Sequence, residues 1–335
     1  MRDYDLLNAA EKLELEKSAG YYNASVPHLQ LQLDEQYNKK LRLVKEGHDT
    51  YWLNKPLHAV TGHKHSLSVD GGENSIRYLF DLTYEQSPGV MKESGRERIS
   101  AGMLLQYQMK KVVFKNQMTF DVVNSDNSPY GSFSAYAKAN PYYVYEDGNG
   151  QFLYMLESNS IGQFDAIPNP LYNTQLHTVD NTSYSNFTNN FSIDWYLTEA
   201  LRIKGNLAIH QKKEEGVVFK PAKHTDFSKM TGSNYYRRGL YQATESKEFG
   251  YDANVVVSYF KQLGSHVVNL NGALNLQDQS SEEYSVKVEG FPDESLDYII
   301  FGAAYPTNKT PTGKDGISRL IGFVGNMNYS FKERY

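Results

Sequence analysis

The sequence predicts an all-β chain: part of a transmembrane antiparallel up-and-down β-barrel, preceded by a short helical segment. Three observations carry this. From about residue 65 onward the hydrophobic pattern changes to a period of two in successive runs. The alternating runs are about ten to twelve residues long, longer than the usual five or six of globular sheets and matched to a tilted bilayer crossing. The connections between runs are short and long in turn, as in a membrane barrel with tight turns on one side and long loops on the other.

The elements follow in chain order. Residues 5–19 read as a helix, with Leu6, Ala10, Leu13 and Lys17 on one side, Asp3 or Asp5 as cap and Gly20 as stop. Residues 28–46 read as a second, weaker helix ending at Gly47. A short strand covers His65–Val69. Ile76, Tyr78, Phe80, Leu82 and Tyr84 then form an apolar row against Arg77, Asp81, Thr83 and Glu85. The same rule holds for Ile99–Tyr107, Phe114–Val122, Phe187–Leu197, Leu201–Ile209, Tyr251–Tyr259, Val268–Leu276 and Ile321–Phe331, which makes nine strands. The tight connections are Gly71-Gly72-Glu73, Gln108–Lys111, Thr198-Glu199-Ala200 and Lys261–Ser265; the long ones are 86–94, 124–186, 211–248 and 277–317. The runs that descend toward the tight-turn side end in aromatic residues on the apolar parity: Tyr107, Trp195, Tyr259 and Tyr329. That is where a membrane girdle of aromatic residues belongs, in contact with lipid.

Composition narrows the function. Across 335 residues there are 27 Tyr, 16 Phe, no Cys and a net charge of −5. The absence of Cys excludes disulfides, thiolate metal sites and a Cys nucleophile. With no Lys/Arg-rich block there is no electrostatic footprint for nucleic acid. No apolar stretch approaches the ~18 residues of a transmembrane helix. The mean hydropathy is negative, yet only every second strand residue of a membrane barrel faces lipid. A soluble antiparallel sheet also alternates, so a β-rich glycan-binding module is the competing reading; it would carry no aromatic girdle. A β-type glycoside hydrolase would need two carboxylates about 5–10 Å apart, and no acidic residue has a distinctive setting.

Short motifs of the first 150 residues carry a resemblance. They are LLNAAEKLELEKSAGYY at Leu6–Tyr22, DTYWL at Asp49–Leu53, HSLSVDGG at His65–Gly72, Arg77-Tyr78, GVMKESGRER at Gly89–Arg98, SPYGSF at Ser128–Phe133 and NPYY at Asn140–Tyr143. In this order they resemble the SusC/RagA-type TonB-dependent outer-membrane transporters, starting just after the plug. The resemblance implies a barrel of about 22 strands, import of an oligosaccharide or peptide, a SusD-like surface lipoprotein as partner and coupling to the TonB complex through the plug. The sequence shows no signal peptide, plug or energy-coupling box and about nine of those strands. The expected organisation is therefore a barrel fragment: 1–64 as a helical or irregular segment connecting plug to barrel, and 65–335 as the first part of the barrel.

Neither a catalytic constellation nor a cofactor motif emerges. His63 and His65 are expected on opposite faces of a strand, which argues against a metal site. Asp147-Gly148-Asn149-Gly150 reads as a turn rather than a calcium loop. The long connection 124–186 is rich in aromatic residues, and Tyr130, Phe133, Tyr136, Tyr142, Tyr143 and Tyr145 are ligand-contact candidates; Tyr235 and Tyr236, beside Arg237 and Arg238, are weaker ones. The alternative role for each ring is packing of its own loop or of a partner.

Overall fold

The computed structural model describes residues 4–158, 160–161 and 164–332. Helix α1 (Ala9–Ser18) starts one turn later than the alternation of leucines suggested. Its cap is Asn8, in a reciprocal capping box with Glu11; Asp5 lies upstream of it and Asp3 outside the described residues. Helix α2 (Pro27–Lys45) begins on a proline at its first turn. It ends in a Schellman motif: His48 N–H reaches Leu43 O, Gly47 N–H reaches Val44 O, and Gly47 takes φ 91°.

The remaining architecture is one large sheet. Strands β1 (His63–Glu73), β2 (Ile76–Pro88), β3 (Gly95–Met109) and β4 (Val112–Asp126) form two hairpins. A long connection holds helix α3 (Phe133–Ala137) and a small pair, β5 (Met155–Glu157) with β6 (Ile167–Pro168). The sheet resumes with β7 (Val179–Tyr196), β8 (Leu201–Lys220), β9 (Leu240–Leu263), β10 (His266–Glu289) and β11 (Thr312–Phe331). The order is β1-β2-β3-β4-β7-β8-β9-β10-β11, nine strands with each neighbour antiparallel. The sheet does not close: β1 and β11 are its two edges.

The strands run further than the alternating stretches. β9 and β10 are 24 residues each. Only their lower parts alternate apolar with polar; the upper parts carry charge on both faces, so periodicity could not reveal them. The long connections shrink accordingly to 89–94, 127–178, 221–239 and 290–311. The first reversal is at Asn74-Ser75, with Asn74 at φ 42°, and not at the glycines before it. Gly72 is still required as glycine, because a Cβ there would sit 2.2 Å from the carbonyl oxygen of Ile76.

The helical segment sits at the end of the sheet that carries the long connections. His58 N–H donates to Val90 O (3.1 Å), Lys92 N–H to Pro56 O (2.8 Å) and Thr50 N–H to Pro141 O (2.8 Å). Trp52 Nε1 donates to Asn140 O at 2.9 Å. Ala9, Leu13, Tyr22, Leu33, Trp52, Tyr136, Tyr142, Tyr143 and Leu171 make one buried cluster joining helices α1 and α2 to connection 127–178. We call this unit the cap. A smaller cluster, Phe219, Tyr241, Val288 and Phe291, closes the extended ends of β8–β10 under the last connection.

Candidate functional site

Strand register sorts the sheet into two chemically different faces, since paired residues share a side. On one face Ile76, Tyr78, Phe80, Leu82 and Tyr84 pair with Tyr107, Leu105, Met103, Ala101 and Ile99. The row continues through Phe114, Met118 and Phe120, then Ile193, Phe191 and Phe187, to Leu207, Val255, Leu274 and Phe323. These side chains are exposed, Phe323 to 79% and Ile321 to 68%. Asn116 and Asn189 interrupt the row, and each amide donates to the other at 3.1 Å, so the pair meets much of its own hydrogen-bonding need.

This apolar band has a sharp upper limit. Ile209, Tyr251, Asp278 and Arg319 lie in register, and in the row after next the partners are Lys213, Lys247, Glu282 and Asp315. The charges pair locally: Arg319 with Asp278 at 2.7 Å, Lys247 with Glu245 at 2.8 Å. From Val268 to Asp278 the strand rises about 33 Å, which at the tilt of membrane barrels spans the ~25 Å of their apolar belt. Tyr107, Trp195, Tyr259 and Tyr329 all lie on this face near the tight connections. Tyr329 hydroxyl is 2.7 Å from His266 Nδ1.

The opposite face is hydrophilic. Ser68 donates to Asp81 at 2.7 Å and Arg98 to Asp121 at 2.9 Å. Asn206 donates to Asn254 at 3.4 Å, and Asn254 to Asn275, giving an amide ladder across three strands. Such a wall suits water or a hydrogen-bonding domain packed against it.

The aromatic ligand-contact candidates divide by burial. Tyr136, Tyr142 and Tyr143 are buried in the cap, Tyr142 completely. Tyr142 and Tyr22 hydroxyls donate to the Glu16 carboxylate at 3.0 and 2.8 Å, and Lys40 Nζ donates to the Tyr22 hydroxyl at 3.3 Å. Lys40 Nζ also lies 3.8 Å from the centre of the Phe164 ring. Burial lowers the Lys40 pKa to about 8 despite the nearby Glu16 carboxylate, and raises those of Tyr22 and Tyr142. Tyr130 and Tyr145 are half-buried; the Tyr145 hydroxyl accepts from Lys55 Nζ at 2.7 Å. Phe133 is partly exposed, and Tyr235 and Tyr236 are the open pair, at 54% and 83%. A cavity of ≈460 Å³ opens between the start of α1, residues 49–53 and residues 136–141, with Leu6, Trp52, Tyr136, Lys138 and Pro141 in its lining.

One expectation is corrected. His63 and His65 point to the same face, with ring centres 5.2 Å apart and His63 also against Tyr84. They are separated by one residue, and a strand repeats its side every second residue. Among the described residues no group of three His, Cys, Asp or Glu is placed to hold a metal ion. The sequence reading also missed the outward charged rows above the band; their signal was the abrupt loss of apolar residues after Ile209 and before Phe249 on a shared parity.

Comparisons with known proteins agree with the geometry. No family model matches the chain. It is 20% identical over 294 residues to "TonB-dependent receptor P26" of Formosa agariphila, covering 85% of this chain and 28% of that protein. It is 22% identical over 309 residues to "TonB-dependent receptor SusC" of Bacteroides thetaiotaomicron, covering 86% of this chain and 29% of that one. The chain thus spans under a third of the length of these relatives. In fold it is similar to the RagAB peptide transporter, at 13% identity and TM-score 0.74 over 98% of this chain and 38% of that one. It is also similar to the ferric citrate transporter FecA, at 7% identity and TM-score 0.50 over 81% of this chain and 32% of that one. In sequence and in fold, the resemblance is to a segment of SusC/RagA-type TonB-dependent transporters.

Proposed function

We propose that this chain supplies part of the wall and part of the external cap of an outer-membrane transporter that imports a large nutrient, an oligosaccharide or a peptide. The observation that carries the reading is the uncovered apolar band: large apolar side chains exposed over a bilayer-sized height, backed by a hydrophilic face. A soluble sandwich would bury that row under a second layer. The long connections and the helical cap then lie outside the cell. Tyr235 and Tyr236 are the rings presented to a ligand, and the cavity beside Trp52 and Tyr136 falls in the size range of ligand sites. A SusD-like lipoprotein is the partner above the cap, and the TonB complex acts through a plug seated against the hydrophilic face. The chain's part is to hold and gate, not to transform.

These 335 residues contain no cysteine, so an introduced one is the segment's only thiol and gives a test. Phe80→Cys and Asp81→Cys are neighbours on opposite faces. In the protein within its own membrane, a membrane-impermeant maleimide is expected to label the Asp81→Cys variant and spare the Phe80→Cys variant. Equal labelling of the two would overturn the membrane reading.

A further inference from the structure

The apolar band contains one dent. On β9, β10 and β11 the register stacks three rows on the same face: Lys261 with Val268 and Tyr329, then Tyr259 with Leu270 and Met327, then Val257 with Gly272 and Gly325. Gly272 and Gly325 are paired directly, and an open space of ≈550 Å³ lies over them, walled by Val257, Tyr259, Leu270 and Met327. Neither glycine is demanded by the chain itself. Neither has a positive φ. A Cβ on Gly272 would meet nothing within 4 Å, and one on Gly325 would meet only the Asn271 carbonyl oxygen at 4.0 Å. By contrast, Gly205 on the same face would put a Cβ 3.1 Å from the Ile193 side chain. Glycine inside a strand weakens it and commonly marks close approach by something else. Two of them opposite each other, with room to spare, indicate an occupant from outside the sheet.

The position of the dent selects the occupant. It lies within the apolar band, about 13 Å along the strand from Lys261, inside the ~15 Å hydrocarbon depth of one leaflet. Lys261 is the one charged side chain of this face between the dent and the tight turn, with Leu263 and Phe331 one row beyond it, and it has no salt bridge among the described residues. Tyr329 shares that row, and His266 lies one row nearer the turn; they present a hydroxyl and an imidazole at 2.7 Å from each other. A cation and polar tips at one end, and an apolar slot one leaflet depth away, match an amphiphile with an anionic head.

We propose that this dent binds one acyl chain of a glycerophospholipid, whose phosphate lies at Lys261 beside the Tyr329–His266 pair. The proposal rests on the membrane reading above. The probe is a phosphatidylglycerol carrying a photoreactive diazirine on its acyl chain, at a small fraction in nanodiscs of phosphatidylethanolamine and phosphatidylglycerol that hold the protein purified from its own membrane. Labelling is expected to concentrate on the peptides of Leu270 and Met327, above the level at Phe80 on β2. The double variant Gly272→Leu with Gly325→Leu fills the slot and is expected to lower that labelling about tenfold, the equivalent of roughly two methylenes of lost burial, with Phe80 labelling unchanged. Gly272→Ala, whose methyl group has free space, controls for folding and is expected to keep most of it. Lys261→Glu is expected to reduce labelling several-fold. Labelling at Leu270 and Met327 that equals Phe80, or that survives the double variant, overturns the site while leaving the membrane reading in place; a neighbouring protein side chain in the dent gives that result. Absence of lipid labelling at Phe80 as well overturns both.

Discussion

The cap and the sheet are built from similar residues and use them in opposite ways. In the cap, Leu33, Trp52, Tyr136 and Tyr142 are buried, and hydroxyls, a carboxylate and an ammonium satisfy one another inside. In the sheet, Phe80, Ile321 and Phe323 face outward, and stability comes from the backbone ladder and same-face neighbours. The difference teaches that exposure has no fixed meaning without the solvent. Water folds the cap by the hydrophobic effect; lipid removes that drive from the outer face of the sheet and makes backbone pairing obligatory.

The comparison can be broken by substitutions with contrary expectations. Leu33→Ala leaves a void in the cap and is expected to cost about 2–5 kcal/mol, measured as faster hydrogen exchange in α1 and α2, with the β2–β3 amides unaffected. Leu82→Arg, on an exposed outward position, is expected to cost about 2–4 kcal/mol if lipid faces it, measured by denaturant titration in bilayers. A cost within about 0.5 kcal/mol, the usual figure for a water-facing surface position, would instead place water on that face.

The third expectation sharpens the cap alone. Lys40 has a folded pKa of about 8 against 10.5 when free. Between these values the unfolded cap holds a proton that the folded cap has released, so folding stability rises with pH over that window. The Lys40 contribution is fully present above 10.5 and lost as pH falls through 8. The raised pKa values of Tyr22 and Tyr142 act oppositely, lowering stability as pH climbs past 10. Protection of the cap amides, taken relative to their base-catalysed intrinsic exchange, is therefore expected to increase modestly from pH 8 to 10 and to fall above it. Lys40→Met is expected to remove the rise and keep the alkaline loss.

Legibility in the sequence followed the same division. Period-two alternation revealed the nine strands because apolar and polar solvents impose it residue by residue along the band. Between Ile209 and Val217 on β8, and between Ala243 and Phe249 on β9, both faces are polar, and the signal stops there while the hydrogen-bonded ladder continues to Leu240 and Lys220. The candidate rings were visible as aromatic residues in a long connection. Which of them face outward was not, since burial of Tyr142 depends on Glu16, 126 residues away.

From the sequence alone came the all-β character, the two faces, the tight and long connections and the unpaired edges, because each rests on local periodicity or turn chemistry. Only tertiary structure decided that the first helices join connection 127–178 at the long-loop end, that the His63 ring packs against Tyr84 of the neighbouring strand, and that Gly272 meets Gly325. Those facts depend on register and on contacts between distant segments, which composition and spacing do not encode.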